Sequence, residues 1–136
     1  MKGGCACGVV RYALRSAPRD PAWCHCRICQ LNSGSPAMAF ATVPAADLVL
    51  EAGEDVIRYF ASSEAARRHF CGNCGTPLYV ADLREPENLY VSLVTLDDPA
   101  GVPPGFHIFY AEHIPWAPAG DDLPRYDGFR RDPNAI

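Results

Sequence analysis

No run of residues in this chain is long and apolar enough to suggest a bilayer span. The most apolar stretch, residues 36–50, is interrupted by Pro36, Pro44 and Asp47, whereas a spanning helix needs about 20 predominantly apolar residues. No apolar segment follows Met1-Lys2-Gly3-Gly4-Cys5, so nothing there reads as a secretory signal and a cytoplasmic protein is expected. A field of positive charge is also missing. The formal net charge is −4 and the pI about 5.4, which argues against nucleic acid or an anionic membrane as partner. Arg67-Arg68-His69 is the one compact basic cluster before the C-terminal tail, and it reads as a solvated strand end. Internal repeats, low-complexity tracts and shifts of composition are absent, so residues 1–136 are expected to form a single domain.

Long helices are disfavoured by 11 glycines and 13 prolines. The remaining composition, 49% hydrophobic and 21% charged, suits a globular domain of short strands and turns. The predicted strands cover residues 9–14, 37–43, 56–60, 67–70, 78–81, 88–96 and 107–110. In the second of these, Met38, Phe40 and Thr42 are expected on one face with alanines on the other. From about residue 97 proline recurs (Pro99, Pro103, Pro104, Pro115, Pro118, Pro124, Pro133). That segment is expected to be irregular and held down by Phe106, Phe109, Trp116, Leu123 and Tyr126.

Cysteine is what the chain has in excess. There are seven, an odd number that a disulfide framework would not accommodate, and in a reducing compartment they point to metal or catalysis. They fall into Cys5-x-Cys7, Cys24-x-Cys26-x-x-Cys29 and Cys71-x-x-Cys74. Residues i and i+2 of an extended chain share a face, so Cys5 with Cys7, or Cys24 with Cys26, can grip one ion. The same alternation turns His25 away from the ion held by its neighbours. In Cys71-Gly72-Asn73-Cys74-Gly75 the glycines permit the tight turn that brings two thiolates within about 2.3 Å of one zinc. One division makes Cys5, Cys7, Cys71 and Cys74 a closed structural set and leaves Cys24, Cys26 and Cys29 as an open one. Spacing alone also permits other groupings, such as Cys5 and Cys7 with two of the central three.

The segments GGCACGVVRY at 3–12, CHCRICQLNSGSP at 24–36 and FCGNCGTPLY at 70–79 resemble the three motifs of the glutathione-dependent formaldehyde-activating enzyme family. That family includes S-(hydroxymethyl)glutathione synthase and, more distantly, centromere protein V. HIFY at 107–110, Pro115-Trp116 and DDLPRY at 121–126 extend the resemblance along nearly the whole chain. It implies a mainly β fold of the Mss4-like type with two zinc ions per chain. It also selects the division above, with Cys5, Cys7, Cys71 and Cys74 holding a structural zinc and Cys24, Cys26 and Cys29 a catalytic one.

Three thiolates and one Zn²⁺ sum to −1, a mild Lewis acid suited to a further soft ligand. A thiol of ordinary pKa is only about 3% ionised at pH 7, so metal coordination raises the thiolate population up to roughly 30-fold. The expected chemistry is therefore reversible carbon–sulfur bond formation between a glutathione-like thiol and an aldehyde such as formaldehyde, a carbon–sulfur lyase reaction. Arg27 is a candidate for attracting an anionic thiol. Gln30 and Ser35, in or beside the Ser33-Gly34-Ser35-Pro36 loop, are candidates to line the open side, and His107 to carry a proton or touch substrate. The competing expectation is a non-catalytic zinc-binding or protein-interaction module of the same fold.

Overall fold

The computed structural model describes residues 1–130. Ten strands, one short α-helix and several 3₁₀ turns make up its regular structure. Strands β1 (Lys2–Gly4), β2 (Arg11–Leu14) and β5 (Leu48–Ala52) form a small antiparallel sheet in the order β1-β2-β5. The large sheet has the order β10-β3-β4-β9-β8-β7-β6. It comprises β3 (Arg19–Cys24), β4 (Met38–Pro44), β6 (Ile57–Ala61), β7 (Ala66–Cys71), β8 (Pro77–Asp82), β9 (Asn88–Ser92) and β10 (Phe106–Ile108). Only β10 runs parallel to its neighbour, pairing Ile108 with Cys24, and so brings the predicted last strand beside the central cysteines. Helix α1 (Arg27–Ser33) follows β3 and stops where Gly34, at φ 67°, takes the left-handed conformation that closes its last turn. Among the described residues no helix is long and apolar enough to cross a membrane.

The main core lies between the sheets. Tyr12 and Leu14 of β2 meet Ala39, Ala41 and Val43 of β4, Val91 of β9, and Leu93, Leu96 and Val102 from the chain that follows. On β4 the alternation runs as expected, and the face of small residues is the one turned to the core: Ala39, Ala41 and Val43 are buried while Phe40 and Thr42 are half-exposed. Tyr12 accounts for this choice of face, because its fully buried ring fills space against strand positions small enough to admit it. Its hydroxyl meets Thr95 Oγ1 at 2.7 Å, and Thr95 donates onward to the Ser92 carbonyl, also at 2.7 Å. This polar pair is satisfied inside the core.

Other differences from the sequence expectation have local causes. Strand β3 escapes recognition because Asp20 and Pro21 interrupt its pattern; Asp20 sits at φ 50° beside an irregularity in the pairing with β4. The strand expected to run to Leu96 ends at Ser92, where the chain turns into a 3₁₀ segment, Leu93–Thr95. Trp116 is 76% exposed and does not hold the tail. Phe106 and Phe109 do help to hold it, meeting Tyr126 and Phe129 edge-on, and backbone bonds fasten it further, such as Tyr126 N–H to the His107 carbonyl, 2.9 Å, and His107 N–H to the Pro124 carbonyl, 2.8 Å.

Gly3 tests the fit of the two layers. A Cβ there would overlap the Tyr12 hydroxyl and stand 2.5 Å from the Thr95 carbonyl oxygen. Gly3→Ala is expected to destabilise the protein by about 1–3 kcal/mol, read as a lower urea midpoint with the slope unchanged. A midpoint equal to wild type would show that the Tyr12–Thr95 pair is not tightly seated.

Candidate metal centres

Two groups of cysteines converge. The sulfurs of Cys5, Cys7, Cys71 and Cys74 lie within 4.8 Å of one another, and so do those of Cys24, Cys26 and Cys29. In the first group Cys5 and Cys7 come from the β1–β2 connection, Cys71 from the end of β7 and Cys74 from the turn between β7 and β8. Cys5 Sγ stands 3.4 Å from Cys7 Sγ, and Cys7 Sγ 3.9 Å from Cys71 Sγ. A tetrahedral zinc with bonds of about 2.3 Å requires sulfur–sulfur edges of about 3.8 Å, so this donor set fits zinc closely.

The surrounding groups donate to the sulfurs. Val10 N–H reaches Cys5 at 3.3 Å and Asn73 Nδ2 reaches Cys7 at 3.3 Å, while Thr76 Oγ1 is 3.2 Å from Cys74. The Thr76 hydroxyl and neighbouring backbone pull the Cys74 thiol down to about 5, whereas burial pushes Cys71 up to about 11. Gly75, at φ 81°, closes the turn through its N–H to the Cys71 carbonyl, 2.7 Å.

The second group is assembled from the end of β3 and the start of α1. Cys24 ends the strand, Cys26 sits at the helix N-cap in extended conformation, and Cys29 lies one turn in. Their sulfurs are walled by Met38, Phe40, Ile108 and Phe109. Phe109 takes φ 51°, unfavourable for an aromatic residue, and is fixed there by its N–H to the Gly128 carbonyl at 2.9 Å. Hydrogen bonds from Cys24 and Cys29 draw the Cys26 thiol down to about 2, and the same bonding with burial pushes Cys24 up. Three sulfurs this close together are arranged as ligands of one cation would be. No fourth His, Cys, Asp or Glu joins this group among the described residues.

A cation does reach it. Arg68, expected at a solvated strand end, is only 8% exposed. Its Nη1 donates to Cys29 Sγ at 3.5 Å and its Nε to Ser62 Oγ at 3.0 Å. Four strand spacings separate β7 from β3, about 19 Å in a flat sheet, so coiling of the sheet and the projection of α1 must close that gap. Sequence reasoning missed this residue because its partner lies 39 positions away in the chain.

The remaining candidates take places around the loop. His25 points away from the sulfurs and is 4% exposed, with Nε2 2.8 Å from His107 Nδ1. His107 Nε2 in turn lies 3.0 Å from Asp121. With His107 Nε2 donating to Asp121, His25 donates to His107 Nδ1 and leaves its own Nδ1, a buried atom, without a partner among the described residues. Burial, then the neighbouring His107, His113 and Arg125, lower His25 to about 4. Gln30 is buried, with its amide nitrogen donating to the carbonyls of His25, 2.7 Å, and Glu112, 3.0 Å, and its oxygen accepting from Arg27. Arg27 is exposed and reaches Gln30 rather than a sulfur; Ser35 is exposed, its N–H donating to Ser33 Oγ at 3.2 Å. His107 faces His25 and Asp121. Gln30 and His107 thus brace the cysteine loop from behind.

Fold and site together define a small β domain of the Mss4-like type carrying one closed and one open cluster of cysteine sulfurs. The family model for the glutathione-dependent formaldehyde-activating enzyme matches residues 1–112, and the chain belongs to that family. A Halomonas elongata protein named "Putative glutathione-dependent formaldehyde-activating enzyme" is 32% identical over 110 residues, covering 76% of this chain and 70% of its own length. An uncharacterized lyase of Schizosaccharomyces pombe is 38% identical over 82 residues, 59% of this chain and 56% of its own length. The crystal structure of a Rhodobacter sphaeroides protein superposes with a TM-score of 0.62 at 27% identity, covering 76% of this chain and 92% of that one.

The depressed His25 value has a consequence for stability. Unfolded His25 takes up a proton near its ordinary value of 6.5, while the folded chain resists until about 4. Stability from this group is therefore complete above pH 6.5 and is lost as pH falls toward 4. His25→Gln, which keeps a donor near the Nε2 position and cannot titrate, is expected to make urea midpoints fall less steeply over that range. The difference is at most about 1.4 kcal/mol per pH unit. Equal slopes in the two proteins would place the acid sensitivity elsewhere.

Proposed function

We propose that this chain is a zinc-dependent carbon–sulfur lyase that forms or cleaves the adduct of a thiol and an aldehyde, with glutathione and formaldehyde as the leading pair. The observation that carries the reading is the unequal count: four sulfurs converge in one cluster and three in the other. Cys5, Cys7, Cys71 and Cys74 would hold a structural zinc, and Cys24, Cys26 and Cys29 a second one with a free position. Zinc held there would supply ionisation of a substrate thiol at neutral pH and a fixed place for its sulfur.

The chain's own residues do the remainder. The three thiolates supply charge that keeps the metal from over-stabilising a further sulfur, so that sulfur stays nucleophilic. Met38, Phe40, Ile108 and Phe109 limit water around the reacting atoms. In the synthetic direction the thiolate sulfur bonds to the aldehyde carbon, the carbonyl π pair moves to oxygen, and that oxygen takes up the proton released by the thiol. The product is a hemithioacetal, and the reverse path returns thiol and aldehyde. The family membership and the names of the relatives support the thiol–aldehyde pair.

Metal analysis of the purified protein is expected to give two zinc ions per chain, and about one in Cys26→Ser, which stays folded. Cys71→Ser is expected to lose the structural metal and unfold, since such sites contribute apparent free energies of order 10 kcal/mol. If Cys26→Ser unfolds as readily as Cys71→Ser, the open-site reading fails. Exchange NMR on glutathione with formaldehyde is expected to show faster interconversion with wild type than with Cys26→Ser. Equal rates with and without protein would remove this substrate pair.

A further inference from the structure

We infer that Arg68 sets the charge of the open cluster, so that its free position takes an anionic sulfur ligand in preference to a neutral one. The inference rests on the proposed zinc site of Cys24, Cys26 and Cys29. It begins with an imbalance. Arg68 is buried, and among the described residues no carboxylate lies within ion-pair distance of its guanidinium. Its hydrogen-bond acceptors are a neutral hydroxyl, Ser62 Oγ, and the Cys29 sulfur. A buried cation requires a counter-charge, and the cysteine cluster is the anionic group in contact with it.

The counts then close. Three thiolates with one divalent ion carry −1, and Arg68 brings the centre to zero. Adding a thiolate yields −1 with Arg68 present but −2 without it, among the apolar side chains of Met38, Phe40, Ile108 and Phe109. A neutral ligand, such as water or imidazole, changes neither total. Arg68 is thus a positioning and specificity residue. It favours the ionised form of the incoming thiol without touching the aldehyde carbon. Arg27, closer in sequence, cannot take this role from where it stands, because its side chain is exposed and bonded to Gln30. Ser62 fixes the guanidinium by accepting from Nε, leaving Nη1 directed at Cys29. Strand β7 carries both Arg68 and Cys71, so the closed cluster also anchors the strand that delivers the charge.

The test uses the full chain loaded with Co²⁺, whose visible absorption responds to a new ligand at the open position. Thiocyanate serves as an anionic probe that carries no proton, and imidazole as a neutral one. For Arg68→Met, the loss of one charge in contact with the cluster is expected to weaken thiocyanate roughly 10- to 100-fold and to leave imidazole within about 2-fold. Arg68→Lys should fall between wild type and Arg68→Met for thiocyanate. Ser62→Ala, which releases the guanidinium but keeps its charge, should weaken thiocyanate a few-fold, and it serves as the readout if Arg68→Met does not fold.

Equal losses for both probes would make Arg68 a structural residue and overturn the inference, as would no loss for either. If wild type binds a single Co²⁺ per chain, the proposed function fails first. If wild type binds two and the variants do not separate the probes, the inference alone fails.

Discussion

The meeting of Cys5, Cys7, Cys71 and Cys74 is the constraint on which the rest of the molecule depends. The β1–β2 connection belongs to the small sheet and the β7–β8 turn to the large one, so four sulfurs at one point fasten the two layers at their edge. The buried residues next to it, Val10 and Leu78, form a satellite of the core rather than its centre. In a chain this small the hydrophobic contribution is modest relative to the entropy it must offset. A metal at this point would be a folding element, absent from the unfolded chain and present only when both layers are in place.

From that anchor the second cluster follows by geometry. Strand alternation gives Cys24 and Cys26 one face and His25 the other. The sulfurs turn toward Met38, Phe40, Ile108 and Phe109, and the imidazole turns toward His107 and Asp121. One short segment is thus held from both sides. Gln30 adds a third hold, since a single buried amide bonds to the carbonyls of His25 and Glu112. A cluster with only three sulfurs keeps its shape because its backbone is braced, not because a fourth ligand closes it. Arg68 completes the balance of charge from across the sheet.

Much of this was legible in the sequence, for definable reasons. Metal-ligand spacing is a local property, so Cys5-x-Cys7, Cys24-x-Cys26-x-x-Cys29 and Cys71-x-x-Cys74 announce themselves, and period-2 alternation turns His25 away in advance. The grouping into four and three needed the family resemblance, because spacing within a segment says nothing about which segments meet. The order of the strands, the choice of which face of β4 is buried and the burial of Arg68 are tertiary outcomes. Alternation on β4 separates two faces without saying which turns inward, and Tyr12 from another sheet decides it by packing on Ala39, Ala41 and Val43. Arg68 looks solvated within its own basic run, and only the coiled sheet carries it to Cys29. The short helix α1 was hidden by its length and by the Gly34-Ser35-Pro36 stretch that follows it, and β3 by Asp20 and Pro21.

The division into a closed and an open cluster is the claim on which function turns, and NMR of the cadmium nucleus in the cadmium-loaded protein reads both clusters at once. Two resonances are expected, one from four sulfurs and one from three. Addition of glutathione should move the second to the position of a four-sulfur site and leave the first unchanged. A single resonance, or two that both ignore the thiol, would contradict an open thiol-binding metal site.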